Sequence, residues 1–177
     1  MNAPRLRVRD VRLFERQIPF RMPFKFGASV TRSCPQALVR VRVELEDGRS
    51  AWGASAQLLG AKWFDKNPAL RNERNHEDLR HAVRMTADAY TSEGSARTAF
   101  GLHASSYEPL RAEGAREGLE PLVTGYGPAL IDMAIVDGLA KTRDVDGSDA
   151  LRANLAGIEP AVLEDRKGVV EGKRVGL

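Results

Sequence analysis

Ten consecutive residues constrain the first half of this chain more than any others. From Ala37 to Glu46 apolar and charged side chains alternate, with Val39, Val41, Val43 and Leu45 on one pleat face and Arg40, Arg42, Glu44 and Glu46 on the other. A period of two rules out a helix and describes a strand with one face on a core and one in water. Asp47-Gly48 follows, a pair suited to a two-residue type I′ turn, and Arg49 to Ala54 returns as the partner strand. Leu6 to Ile18 also alternates, with Arg5, Arg7 and Arg9 opposite Leu6 and Val8 and then a phase change to Val11 and Leu13, which marks a bulge. The first half is therefore expected to be an antiparallel sheet of three strands.

The second half changes period. Asn72 or Asn75 can cap a helix whose Leu79, Ala82, Val83, Thr86 and Tyr90 share one face, with Arg80, Arg84 and Asp88 outward. Gly94-Ser95 is expected to end it and cap a second helix, Ala96 to Arg111, carrying Phe100, His103, Tyr107 and Leu110 at helical spacing. Pro128 suits the first turn of a third helix, Ala129 to Lys141, which is apolar nearly all round apart from Asp132 and Asp137. Asp146 to Gly157 adds a short segment with Leu151 and Leu155 four apart. The fold class expected is α+β, a three-stranded antiparallel sheet followed by a three-helix bundle.

Two stretches resist this scheme. Pro19 to Pro35 holds three prolines and a glycine, which argue against a regular central strand, yet it carries Phe20, Met22, Phe24 and Phe26. Ala54 to Pro68 holds Leu58, Leu59, Trp63 and Phe64 beside Lys62, Asp65 and Lys66. Loops this apolar must cover something. No catalytic centre assembles from spacing alone. His76 and His81 lie five apart, about 140° round a helix, and cannot chelate one ion as an i, i+4 pair would. His103 reads as a hydrogen-bonded core histidine, Cys34 as an unactivated thiol, and Asp132 and Asp137 as capping or hydrogen-bonding carboxylates rather than an acid/base pair. Thr124 to Pro128 precedes a helix but lacks the lysine and hydroxyl spacing of a phosphate loop.

The 177 residues are too few for an eight-fold β/α barrel, which needs about 250. One cysteine excludes an internal disulfide framework. No apolar run approaches the roughly 18 residues of a membrane span, and the basic Met1 to Asp10 start is not followed by a signal-like apolar stretch. A cytoplasmic chain with no membrane partner is expected. Residues Asp165 to Leu177 carry two of the three net positive charges with no helical period, and they resemble a translated sequencing-adapter read-through. They are expected to be a non-native or disordered tail.

Four stretches, Met22 to Thr31, Val39 to Gly53, Leu58 to Pro68 and Ala129 to Lys141, occur in an order that resembles the N-terminal capping domain of the enolase superfamily, in the mandelate racemase and muconate lactonizing enzyme branch. The hairpin end reads Gly53-Ala54-Ser55, where the branch commonly has an acidic residue. The resemblance implies a capping (lid) domain over residues 1–142. It makes 143–164 a linker and the start of a β/α barrel that the chain lacks. It also implies that the two apolar loops close over the barrel mouth and shape a substrate pocket. Phe24, Phe26, Thr31, Lys62, Trp63 and Phe64 are the substrate-facing candidates. Family chemistry comes from lysine or histidine acid/base groups and three carboxylates holding Mg²⁺ on barrel strands. This chain then needs no cofactor of its own, while a full-length parent would bind Mg²⁺ and a small carboxylate substrate as a racemase, cycloisomerase or dehydratase. Its partners are that substrate, its own barrel and further copies of itself, because the helix Ala129 to Lys141 carries more apolar face than this chain is expected to bury.

Two other readings remain open at the level of sequence. A stand-alone binding module would use the aromatic loops with no barrel attached, and would have a sealed core. Nucleic-acid binding would use the strand bearing Arg5, Arg7, Arg9 and Arg12. The absence of interleaved aromatics argues for a solvated strand face, and no nucleic-acid partner is expected.

Overall fold

The computed structural model describes residues 3–26 and 29–159. The side chain of Phe26 and the suspected tail at 165–177 lie outside the described residues. Strands β1 (Leu6–Phe26), β2 (Ser29–Leu45) and β3 (Ser50–Leu58) form one antiparallel sheet in the order β1-β2-β3. The alternation does what its period requires: Val39, Val41, Val43 and Leu45 are buried, and Arg40 and Arg42 are exposed. The expected bulge falls between Val8 and Asp10. The N-terminal arginines serve as braces. Arg5 and Arg7 donate to the carbonyls of Ala96 and Gly94, and Arg9 pairs with Glu44 at 2.7 Å.

The stretch read as an irregular loop, Pro19 to Pro35, is instead a hairpin arm. Pairing runs on through Ile18↔Cys34 and Pro19↔Ser33, breaks, and resumes at Phe24↔Thr31, Lys25↔Val30 and Phe26↔Ser29. The prolines fit because β1 is an edge strand, Pro23 sits within the register break, and Pro35 lies one residue beyond the last β2–β3 pair, Gln36↔Leu58. The turn between β2 and β3 also differs from expectation. Gly48 adopts φ +85°, but Asp47 is not left-handed, so type I′ geometry is excluded. The Gly48 N–H donates to Leu45 (3.0 Å) and the Leu45 N–H to Arg49 (2.8 Å), the bonding of a three-residue connection closed by a left-handed glycine. Asp47 accepts from the Arg49 backbone and guanidinium, and those bonds hold its carboxyl at about 2.

One face of the sheet is covered by helices α1 (Ala61–Phe64), α2 (Asn72–Ser92), α3 (Ala99–Arg116), α4 (Pro121–Thr142) and α5 (Gly147–Arg152). The stripe of α2 is as expected, with Leu79, Ala82, Val83, Thr86 and Tyr90 all buried. Its cap is not: Arg71 occupies the N-cap without a side-chain bond, and Asn75 is buried inside the first turns. Thr98, not Ser95, caps α3 by accepting from the Gly101 N–H at 3.0 Å. The largest difference is in α4, which starts at Pro121 rather than near Pro128. Thr124 to Pro128 is helix interior, because burial of Val123, Tyr126 and Leu130 outweighs the poor propensity of Gly125, Gly127 and Pro128.

The apolar surplus expected on α4 is absorbed within this chain. Leu130, Ile131, Ala134, Ile135 and Leu139 are fully buried against β2, β3, α2 and α3, and only Leu122 and Met133 of its large apolar residues are exposed. The helix is long and apolar enough to cross a bilayer, but 61% of its apolar window is buried inside the molecule. Contact with the sheet is backbone to backbone. A Cβ on Gly53 would fall 1.9 Å from the Ala134 carbonyl oxygen and 2.3 Å from the Gly138 nitrogen. Three bonds fix the crossing: Ser55 Oγ donates to the Leu130 carbonyl (2.6 Å), the Ala54 N–H to Asp137 (2.7 Å) and Lys141 Nζ to the Trp52 carbonyl (3.3 Å). Residues 143–159 fold back on the domain, burying Ala150 and Ala156, and the Phe100 N–H donates to the Ala156 carbonyl.

Gly53→Ala should therefore lower the unfolding free energy by about 3 kcal/mol or more, because neither backbone can yield. Gly125→Ala meets no neighbour within 4 Å and should raise it by about 0.5–1 kcal/mol. Urea melts of the two variants check both signs. Asp47 supplies an acid dependence. Its folded-state pKa is depressed from 3.8, so its contribution is whole above about pH 4 and is lost as pH falls toward 2. Asp47→Asn should shrink the loss of stability between those pH values.

Candidate functional site

The hairpin arm and the β3–α2 connection meet beside the sheet and enclose a cavity of about 420 Å³. Its apolar wall comes from Phe20 and Phe24 on β1 and from Leu58, Trp63 and Phe64. Thr31, Ser33 and Gln57 supply neutral polar groups, and Cys34 and His76 supply the titratable ones apart from Lys62. Five of the six residues singled out by sequence, Phe24, Thr31, Lys62, Trp63 and Phe64, line this one cavity, and the sixth, Phe26, has its side chain outside the described residues. Two of the lining aromatics are unusually exposed and form an apolar rim: Phe24 is 55% exposed and Trp63 61%.

Two of the three donors of the Lys62 ammonium are engaged by backbone. They go to the carbonyls of Asn67 (2.9 Å) and Leu70 (2.6 Å) and so tie down the chain between α1 and α2. Asp65 steadies the same turn by accepting from the Asn67 N–H at 2.8 Å. Phe64 packs edge-on to Tyr126 of α4, with centroids 4.9 Å apart, which anchors α1 to the core. Burial pushes the Tyr126 hydroxyl up and keeps it protonated. The Cys34 thiol is raised first by burial and then by the Glu15 charge, so it too stays protonated at neutral pH. Glu15 is itself held by Arg80, at 2.7 and 3.0 Å.

Sequence reasoning missed Ser33, Cys34, Gln57, Asn72 and His76 as lining residues. For His76 the signal was present, since the helical period that turns Leu79 and Val83 inward places it on the same stripe one turn earlier. For Gln57 it was not, because β3 continues past Ala54 only by pairing with β2. The other candidates lie elsewhere. His81 pairs with Glu117 across α2 and α3. His103 is hydrogen-bonded as expected but lies at the surface of the core rather than inside it, with its Nδ1 2.7 Å from Asp132, which also accepts from the Tyr90 hydroxyl at 2.9 Å. The histidine ring stacks between Phe100 and Tyr107. Among the described residues no group of three or more His, Cys, Asp or Glu side chains converges to hold a metal ion.

No protein-family model matches the chain, and no curated protein matches it by sequence. Solved structures do match by shape. An enolase from Bradyrhizobium, complexed with magnesium and mandelic acid, aligns at 20% identity with a TM-score of 0.55 over 84% of this chain and 35% of that one. The chain shares its fold with that part of the enolase. A mandelate racemase/muconate lactonizing enzyme-like protein from Rubrobacter xylanophilus aligns at 17% identity and TM-score 0.48, over 81% of this chain and 33% of that one. A mandelate racemase/muconate lactonizing enzyme from Bordetella bronchiseptica aligns at 20% and 0.43, over 78% and 31%. The chain spans about a third of the length of these enolase-superfamily structures.

If Lys62 is a brace, Lys62→Met should speed amide hydrogen exchange across residues 65–70 while moving the global unfolding free energy by less than about 1 kcal/mol. Exchange measured by mass spectrometry checks the local effect against the global one.

Proposed function

We propose that this chain is the substrate-capping part of a longer Mg²⁺-dependent enzyme, a racemase, cycloisomerase or dehydratase that abstracts a proton next to a carboxylate. The observation that carries the reading is the cavity between the hairpin arm and α1, walled by Phe20, Phe24, Trp63 and Phe64 and open at an apolar rim. Mg²⁺, when bound, would stabilise the enediolate formed by proton loss. On this reading its carboxylate ligands, like the acid/base groups, would be supplied by the rest of the longer protein. What this chain does is bind and exclude water. Closing the aromatic rim over a substrate would remove water from the reacting centre and strengthen the electrostatics there. The cavity would take the apolar end of a small carboxylate substrate against its aromatic wall. On this reading residues 1–142 are the lid, 143–164 lead toward the barrel, and the enzyme works in the cytoplasm.

A second reading has one observation in its favour: α4 is covered by this chain's own sheet and helices, as a stand-alone binding module requires. The reason given above for self-association moves accordingly from α4 to the exposed rim of the arm. The nucleotide sequence of the source gene beyond codon 164 separates the readings. An in-frame continuation of some 200 codons or more encoding a barrel supports the lid, and a native stop after Leu177 would sink it in favour of the module. With the longer protein in hand, Trp63→Ala and Phe24→Ala should raise KM for an aryl-substituted 2-hydroxy acid by about tenfold while changing kcat much less. Deuterium exchange at its α-carbon in the presence of Mg²⁺ is the assay.

A further inference from the structure

The face of the sheet turned away from the helices carries a second constellation, independent of the cavity. Register sets Arg12 directly opposite Arg40, Asp10 opposite Arg42, and Arg42 opposite Trp52. Like charges directly opposite one another across strands cost stability, yet both members of the Arg12–Arg40 pair lean over one indole. Their guanidinium carbons lie 4.8 and 4.9 Å from the Trp52 ring centroid. Cation–π attraction of about 0.5–1 kcal/mol each at an exposed site is of the size needed to offset that repulsion. The indole therefore holds two forks of hydrogen-bond donors in place on a flat surface.

The carboxylates of this face are already committed. Asp10 binds Arg12 at 3.0 Å and Glu44 binds Arg9 at 2.7 Å. Arg40 and Arg42 have no carboxylate within ion-pairing distance among the described residues, and both are exposed. Beside them, one pair along the same face, Phe14 stands opposite Leu38 and is 52% exposed. Arginine, tryptophan and phenylalanine gathered on an open face are the residue types that dominate protein–protein hot spots.

We infer that this face docks an acidic polypeptide surface, with a pair of Asp or Glu carboxylates seated on Arg40 and Arg42 beside Trp52 and Phe14. Charge excludes the same face of a second copy, which would set arginine against arginine. A nucleic acid fits less well, because successive bases need a row of free aromatic faces to stack on, and with the Trp52 ring engaged by Arg12 and Arg40 only Phe14 of the two aromatics named here is open. A carboxylate needs only the planar fork, which binds it bidentately.

The test titrates fluorescein-labelled hexaglutamate with the 177-residue chain at low salt and reads anisotropy. Saturable binding that weakens with salt is expected. Arg40→Gln combined with Arg42→Gln should weaken it by about tenfold or more, with a melting temperature no lower than the parent's. Trp52→Leu, which keeps every arginine but removes the ring, should weaken it by about threefold or more. Arg116→Gln combined with Arg152→Gln changes net charge equally at two other exposed pairs and should leave binding unchanged. Three results would overturn the inference: no saturable binding, an equal loss in both double variants, or tighter binding of a thymidine oligonucleotide of equal charge through the same arginines.

Discussion

Everything else in the domain is arranged around the place where α4 touches β3 without side chains between them. Gly53 and Gly138 let strand and helix approach until a single methyl group would collide with the opposite backbone. That approach is what lets Leu130, Ile131, Ile135 and Leu139 reach the valines of β2 and seal the core. It also brings Asp137 and Lys141 to the free edge of β3, where they occupy the Ala54 N–H and the Trp52 carbonyl. The outer edge of the sheet is thereby closed by a helix rather than left as a template for another strand. The same few residues set the helix axis, and with it the position of Tyr126 against Phe64.

From that anchor the site follows mechanically. Tyr126 fixes Phe64, Phe64 fixes α1, and Lys62 holds the connection to α2 by its backbone carbonyls. The cavity wall on that side is therefore tied to the core, whereas the opposite wall is a two-stranded arm with a register break at Pro19 to Phe24. The two sheet faces divide the labour, since the inner one holds the core and the outer one carries the arginines gathered on Trp52.

Much of the fold could be read from residue order, because alternation and helical stripes are local consequences of which face is buried. Val39 to Leu45 and Leu79 to Tyr90 lie where their periods place them. The errors share a cause. Proline and glycine argue for breaks at Pro19 to Pro35 and at Thr124 to Pro128, yet the first is a paired arm and the second helix interior, and β3 runs on past Ala54 to Leu58. Such residues report what the backbone permits on its own, and at these places the partner changes the balance: edge position for Pro19, burial of Tyr126 for the start of α4. In the candidate site, the aromatic content of two supposed loops showed that they cover something, and the family resemblance singled out Phe24, Trp63 and Phe64 within them. His76 was legible from the helical period of α2, whereas Cys34 and Gln57 could be added only once the arm was seen to pair and fold beside α1.

By itself the sequence determined an α+β chain with three strands, three long helices and two apolar segments in need of a cover, since periodicity and composition are written along the chain. The tertiary structure alone decided that those segments face each other across one cavity, that Lys62 braces the chain between α1 and α2, and that two like-charged arginines share one indole. Each of these depends on residues far apart in the chain meeting at ångström distances, and no local pattern encodes the distance between elements that have yet to pack.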